Sequence, residues 1–336
     1  MAQPKIPIDI VDATPNDRLS RGLAQLVGAD PVFAALKQKL PLIARHGAPV
    51  LLTGETGTGK ELCARALHYL SARAARAFLP VNCGAIPVEL FESELFGHQR
   101  GAFTGASATQ TGLIEEAEGG TLFLDEIDSL SPAAQVKLLR FIENHTYHAL
   151  GSAKERHADV WIIAATNRDL KKNIVDGAFR EDLFYRLAVM NLSLPPLRQR
   201  KADIPLLVKY LWSRYADQHE SAARPLSPRA LETLCQYSWP GNIRELENVI
   251  QQLLVLTDAR IIEPEDLPIP ASLPDKSLPA LSFNQARAQV LATFEKAYVT
   301  ELLRNNHGNV SHAAKAANKE RRSFGRLIKK YQLEKR

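Results

Sequence analysis

No apolar run in the 336-residue chain approaches the roughly 20 residues that a membrane-spanning helix needs. The opening stretch MAQPKIPIDIVDATPNDRLS lacks the basic-then-apolar pattern of a secretory signal. Cysteine is scarce: Cys63, Cys83 and Cys235 are scattered, with no Cys-x-x-Cys pair and no Cys/His cluster at metal spacing. That argues against a zinc module or a disulfide framework and leaves buried, reduced thiols as the expectation. The histidines His98, His145, His148, His307 and His312 are equally dispersed. Together these absences predict a soluble, cytoplasmic protein with no membrane partner. What is present is ordinary for a globular chain: 45% hydrophobic and 24% charged residues, enough for two or three domains with a sizeable core.

The net charge of +5 is unevenly spread. Residues 283–336 hold 12 Lys/Arg against 4 Asp/Glu, a net of +8, while the remaining 282 residues hold 30 against 33. A basic C-terminal module on a near-neutral body points to nucleic acid as a partner of that end alone. Along the chain, residues 1–20 read as a short leader. From 21 to 193, apolar runs bounded by turn residues (APVLLTG, AFLPVNC, GGTLFLDEI, ADVWIIAATN) alternate with helical spacing such as ELCARALHYLSARA. This is the pattern of a layered α/β domain with a buried parallel sheet. Residues 194–265 open with the prolines of LPPLRQRKADI and then show amphipathic helical spacing, so a smaller helical subdomain is expected. The proline-rich stretch 266–282 reads as a linker, and 283–336 as a final helical domain.

The chemistry is concentrated in a few strings. GETGTGKE, residues 54–61, follows the apolar run PVLL and opens a helix, as a phosphate-binding loop does. Gly54, Gly57 and Gly59 let the backbone amides of Glu55, Thr56 and Thr58 curl toward a phosphate, the helix N-terminus adds its positive end, and Lys60 brings a charge to the β- and γ-phosphates. Glu61 stands where many such loops carry a Mg2+-binding hydroxyl, so the metal must lean on water and on a second acidic element. That element is TLFLDEID, an apolar run ending in Asp125 and Glu126. A parallel strand delivers such carboxylates to the edge where α/β sheets bind ligands. Asp125 is expected to hold Mg2+ and Glu126 to polarise the water that attacks the γ-phosphate of ATP. Asp128 reads as a cap of the next helix. Asn167, ending IIAATN, either senses the γ-phosphate, orients the water, or satisfies a turn. Asn82, in PVNCGA, ends another strand and either hydrogen-bonds Glu126 or satisfies a turn.

The string ELFGHQRGAFTGA, residues 94–106, has no such chemistry: its core is small and apolar with one aromatic ring. Taken with GETGTGKE, GGTLFLDEI, FREDLFYRL, LPPLRQR and WPGNIREL in this order, it gives the chain a specific resemblance to the AAA+ domain of sigma-54-dependent bacterial enhancer-binding proteins over residues 21–265. The C-terminal part is similar to that family's Fis-type DNA-binding domain. The fold this implies is an α/β AAA+ P-loop NTPase domain with a helical lid subdomain, followed by an all-α helix-turn-helix domain.

The resemblance also implies roles. Arg180 and Arg186 would be arginine fingers acting on a neighbouring subunit, and Arg244 the sensor on the lid. Asn82 would restrain Glu126, and Val27 and Gly28 would flank the adenine. Gly101, Ala102, Phe103, Thr104, Gly105 and Ala106 would form the loop that touches sigma-54, with residues 148–155 (HALGSAKE) as its partner loop. The Gln99-Arg100 pair departs from the acidic-small pair common in that family. The implied activity is ATP hydrolysis by a homo-oligomeric, hexameric ring that opens the promoter complex of the sigma-54 RNA polymerase holoenzyme.

At the C-terminal end, GNVSHAAKAANKERRSFGRLIKKYQL reads as helix, turn, helix. Asn309 or Ser311 caps the first helix, and Asn318, a residue tolerant of left-handed backbone, sits at the turn. Arg321, Arg322 and Ser323 are expected to approach the bases of enhancer DNA, with Arg326, Lys329 and Lys330 on phosphates. The preceding helical stretch suits dimerisation at DNA. An AAA+ pattern beginning near residue 21 leaves no room in this sequence for the N-terminal regulatory domain usual in the family, as in phage-shock-type activators. Control by a separate regulator protein, by the protein's own expression level, or by a related subunit in a mixed ring is the corresponding expectation.

Overall fold

The computed structural model describes residues 23, 25–103, 105–219, 225–257, 259–269, 295, 298–299, 302–303, 306, 309–317 and 319–331. The chain divides into two compact units, Met1–Pro270 and Ala271–Arg336.

Five parallel strands form the sheet of the first unit: β1 (Val50–Thr53), β2 (Phe78–Asn82), β3 (Thr121–Asp125), β6 (Trp161–Thr166) and β7 (Met190–Ser193). Their order is β2-β3-β6-β1-β7. The four apolar runs legible in the sequence are β1, β2, β3 and β6. The fifth strand, MNLS, lies at an edge and was not legible, because four residues with only two apolar side chains carry little signal. The opposite edge is β2, which is where Pro80 is tolerated, since an edge strand has one side free of ladder bonds.

Alternation along the strands feeds two cores. Leu51, Leu122, Leu124, Ile162 and Ala164 pack on one face, and Val50, Leu52, Phe123, Ile163 and Ala165 on the other. Helix Pro31–His46, capped by the Asp30 side chain on the Val32 amide (3.0 Å), covers the second face together with helix Lys60–Leu70. The His68 Nδ1 of that helix is hydrogen-bonded with the Thr121 hydroxyl of β3 at 2.9 Å. A hairpin of β4 (Thr146–His148) and β5 (Glu155–His157) stands apart from the sheet.

The lid is built from helices Ile204–His219, Pro228–Gln236 and Asn242–Leu256 around Trp239, Leu246 and Ile250, all fully buried. In the second unit, helices Val310–Ala316 and Arg321–Lys330 pack through Ala313, Ala314, Phe324 and Ile328, joined by Val299 and Leu303. The side chain of Asn309 caps the first of these, accepting from the Ser311 and His312 amides. Asn318 lies outside the described residues.

Candidate functional site

The strand ends converge. Asn82 and Asp125 are in register at the ends of β2 and β3, and Thr53 and Thr166 at the ends of β1 and β6. The loop 54–59 leaves β1 at this edge. Lys60 turns back over it, and its Nζ donates to the carbonyls of Gly54 (2.9 Å) and Glu55 (3.1 Å). The ammonium is thus held over the concave side of the loop. Burial lowers its proton affinity, while Asp125 opposes that shift. Thr58 closes the loop by donating to Glu55 O at 2.8 Å. Glu61 is engaged elsewhere: Arg65, one turn along, donates to it at 2.7 Å.

Asp125 Oδ1 accepts the Glu126 amide at 2.9 Å, and Glu126 adopts a left-handed backbone, φ 54°. This kink turns Glu126 out of the strand direction, so that its carboxylate lies over Gly84. Asn82 borders the same glycine but spends its Oδ1 on the Gly84 and Ala85 amides (2.9 and 3.1 Å), and no hydrogen bond joins it to Glu126 among the described residues. The bond expected from sequence, which Asn82 would have to donate from Nδ2 because a carboxylate only accepts, is absent: the turn after β2 orients the side chain through its Oδ1. Asp128 is also not a helix cap. It is buried in a short 3-10 turn, where it accepts from Thr166 (2.5 Å) and pairs with Arg168 (3.2 Å), while Ser131 caps the following helix. Asn167 donates to the Thr56 hydroxyl at 2.9 Å, tying the end of β6 to the phosphate loop.

The lid closes on the loop by contacts that sequence reasoning missed. Asn242, fully buried and left-handed at φ 54°, donates to Thr56 O (3.0 Å) and to Glu55 (3.2 Å), and it accepts the Leu197 amide (2.8 Å). The Ile243 amide donates to Gly57 O at 3.0 Å. Here Gly57 has a reason beyond phosphate binding: a Cβ on it would lie 2.2 Å from Gly241 O. Arg198 grips both carboxylate oxygens of Glu55 (2.7 and 2.5 Å), and this bond holds the Glu55 carboxyl down to about 2. The signal lay in the unused polar residues of LPPLRQR and WPGNIREL. Arg244 follows on the exposed side of the lid helix, close enough to Lys60 to disfavour its charge. Val27 lines the cleft between loop and lid, and the Gly28 carbonyl accepts from Lys37 at 2.6 Å.

The 101–106 stretch is a closed loop. The Gly101 amide donates to Ala106 O (2.9 Å) and the Ala106 amide to Phe103 O (3.0 Å). Gly101 and Gly105 take positive φ, 84° and 106°. Below it, His98 pairs with Gln110, and Leu150 of the 148–155 segment bonds to Gly97 and Gln99, so the two loops share one piece of backbone ladder. Phe103 is 39% exposed and rests edge-on against the His98 ring at 5.0 Å. Thr104 lies outside the described residues.

The sequence profile of the Sigma-54 interaction domain matches residues 26–193, and that of the AAA+ ATPase lid domain matches residues 198–277. The transcriptional regulatory protein GlrR of Escherichia coli K12 is 43% identical over 309 residues, which cover 92% of this chain and 68% of GlrR. The chain belongs to the sigma-54 interaction family of AAA+ transcriptional regulators. The nitrogen fixation protein AnfA of Azotobacter vinelandii is 38% identical over 94% of this chain and 60% of its own length. Among solved structures, NtrX from Brucella abortus in complex with ATP matches at a TM-score of 0.69 and 33% identity, covering 95% of this chain and 73% of that one. Hsp104 matches at 0.52 and 19% identity, a likeness of fold alone.

As a sigma-54 interaction domain, the chain is an AAA+ ATPase of a sigma-54-dependent transcriptional activator. The two candidate fingers of this family member are both exposed and both paired within the subunit. Arg180 chelates Asp182 (3.0 and 2.7 Å), and Arg186 reaches Glu143 at 3.2 Å. Gln135 fixes the Arg180 backbone by accepting its amide at 2.8 Å. On the second unit, Arg321, Arg322, Ser323, Arg326, Lys329 and Lys330 are all exposed along helix Arg321–Lys330, with Lys330 also paired to Glu295 at 3.1 Å.

Proposed function

We propose that this activator (ATPase part 21–265, linker 266–282, helix-turn-helix part 283–336) works in the cytoplasm as a homo-oligomeric ring. It would bind enhancer DNA, as dimers, through Arg321, Arg322, Ser323, Arg326, Lys329 and Lys330. ATP would be hydrolysed in the cleft between phosphate loop and lid, and the 101–106 loop would press on sigma-54 to convert the closed polymerase complex to an open one. The observation that carries this reading is the placement of Lys60 over the loop after β1, near enough to Asp125 and Glu126 at the end of β3 to feel their charge.

In that cleft the loop amides and Lys60 bind the phosphates, and Glu126 takes a proton from the attacking water. Asn167 and Arg244 bracket the γ-phosphate. Arg180 and Arg186, released from Asp182 and Glu143, stabilise transition-state charge in the adjoining subunit. Asp125 suits Mg2+: it is a hard oxygen donor at a strand end. Because no group of three or more His, Cys, Asp or Glu among the described residues could hold a metal, phosphate and water would complete the shell, as that ion favours. The ion would supply charge neutralisation on the β- and γ-oxygens.

The test is a parallel assay of ATP binding, hydrolysis and promoter opening with sigma-54 polymerase. Glu126→Gln should bind ATP normally yet hydrolyse it about 100-fold or more slowly, and Lys60→Ala should lose both. Thr104→Ala should hydrolyse ATP but fail to open the promoter. Normal hydrolysis by Glu126→Gln would refute the assignment of Glu126.

A further inference from the structure

One buried group in the cleft has hydrogen-bonding capacity that the protein does not use. Arg200 follows the short turn Leu197–Gln199 at the start of the lid and is 0% exposed. Its guanidinium lies 4.3 Å over the Phe33 ring, and Nη2 donates to Thr58 O at 3.1 Å. Nε and Nη1 are sealed from solvent and have no acceptor. The nearby carboxylate does not fill the gap. Asp203 Oδ1 is spent on the Ala29 and Asp30 amides (2.6 and 2.7 Å), Oδ2 is itself without a donor, and no ion pair joins the two side chains among the described residues.

A guanidinium whose donors are left unmet in a dry site bears the full desolvation cost of those donors, so a fold that keeps one there gains by filling it with an acceptor. Asp203 and Asp30 favour its charge but give Nε and Nη1 no hydrogen bond, which leaves the cleft as the source of an acceptor. Arg200 lines it with Leu26, Val27, Phe33, Leu194, Tyr210 and Ile243, and the same cleft runs on to Thr58 and Gly59 of the phosphate loop. An apolar slot that ends at a phosphate loop fits the flat ring of a nucleotide base. Gln25, Arg214 and Glu247 stand on its more open parts; Arg200 is the buried donor, able to sense the ring's nitrogens where apolar walls measure only its size.

We propose that Arg200 is a specificity-determining contact for the nucleotide, its free Nε and Nη1, covered from solvent in this structure, turning to donate to an acceptor nitrogen of the purine when the base enters. The inference rests on the assignment of this cleft to ATP. Arg200 then does two things at once. It reports the base to the first turn of the lid, and through Nη2 it reports to the carbonyl of Thr58, two residues before Lys60. A nucleotide lacking the acceptor would fill the slot and still leave the cation unmet.

The experiment measures dissociation constants of the full chain for ATP and for 1-deaza-, 3-deaza- and 7-deaza-ATP, by competition with a ribose-labelled fluorescent ATP. One of the three analogues should bind roughly 10- to 100-fold more weakly than ATP, the range for a hydrogen bond from a charged donor. Arg200→Met should weaken ATP by a similar factor and add no further loss for that one analogue, while Arg200→Lys should fall between. The wild-type series can overturn the proposal even if Arg200→Met fails to fold, and Arg200→Lys then assigns the contact. All three analogues binding within about twofold of ATP would overturn the proposal. So would an Arg200→Met penalty of equal size for ATP and every analogue, the mark of a packing role or of a trapped water. A wild-type chain that binds no ATP at all would instead bring down the assignment of the cleft.

Discussion

His68 is the residue whose environment has the plainest consequence in solution. Burial under β3 pulls its ring from the ordinary value of 6.5 down to about 4. Between those two values the unfolded chain binds a proton that the folded chain refuses. Stability is therefore full above pH 6.5 and falls as the pH drops toward 4, by roughly 3 kcal/mol from this group. His68→Gln should flatten that part of the curve when urea midpoints are measured across the window; an unchanged acid slope would show that the ring is not neutral in the fold. At this scale the sequence was partly legible. Lys60, Asp125 and Asn167 are distinctive by residue type and by position at a strand end. The fate of Asn82 was legible only as one of two alternatives and that of Asp128 not at all, because a side chain with several partners in reach chooses by geometry. Asn82 takes two amides of its own turn, and Asp128 takes Thr166 at the end of β6, 38 residues on in sequence, and Arg168 just beyond it.

At the scale of elements, the turn WPGNIREL acts as a latch. Asn242 joins the first lid turn at Leu197 to the phosphate loop at Glu55 and Thr56, from a backbone conformation unfavourable to it. Asn242→Ala should cost roughly 2–3 kcal/mol, since it strands the Leu197 amide and the Thr56 carbonyl while keeping the strained φ. It should also weaken ATP binding by loosening Arg244. Thermal melts and nucleotide titration check this, and a melt within a degree of the parent would show the latch to be dispensable. The motif as a string was visible in the sequence, and so was the lid as a run of amphipathic helices. Their docking was not, because Gly57 against Gly241 is a contact between two glycines, and nothing in composition marks it. The strands β1, β2, β3 and β6 were legible as bounded apolar runs; the hairpin β4–β5 and the edge strand β7 were too short and too mixed.

For the whole molecule, the pairing of Arg180 with Asp182 and of Arg186 with Glu143 bears on assembly. If both serve a neighbour's nucleotide, Arg186→Ala subunits mixed into parent protein should depress hydrolysis by more than their share. A loss strictly proportional to the mutant fraction would show that the arginines do not act on a neighbouring subunit. The layered α/β architecture was legible because β and α patterns alternate along the chain. The ladder joining the 101–106 loop to residue 150 was not, because it is made of backbone. That ladder sets a leash. Gln110, Gly97 and Leu150 clamp the chain at His98, and only six residues separate His98 from Thr104. Even pulled straight, the tip strays about 20 Å from its root. Any longer stroke has to be supplied by carrying the root itself, so helix Val88–Phe96 and the hairpin must travel as luggage with the loop.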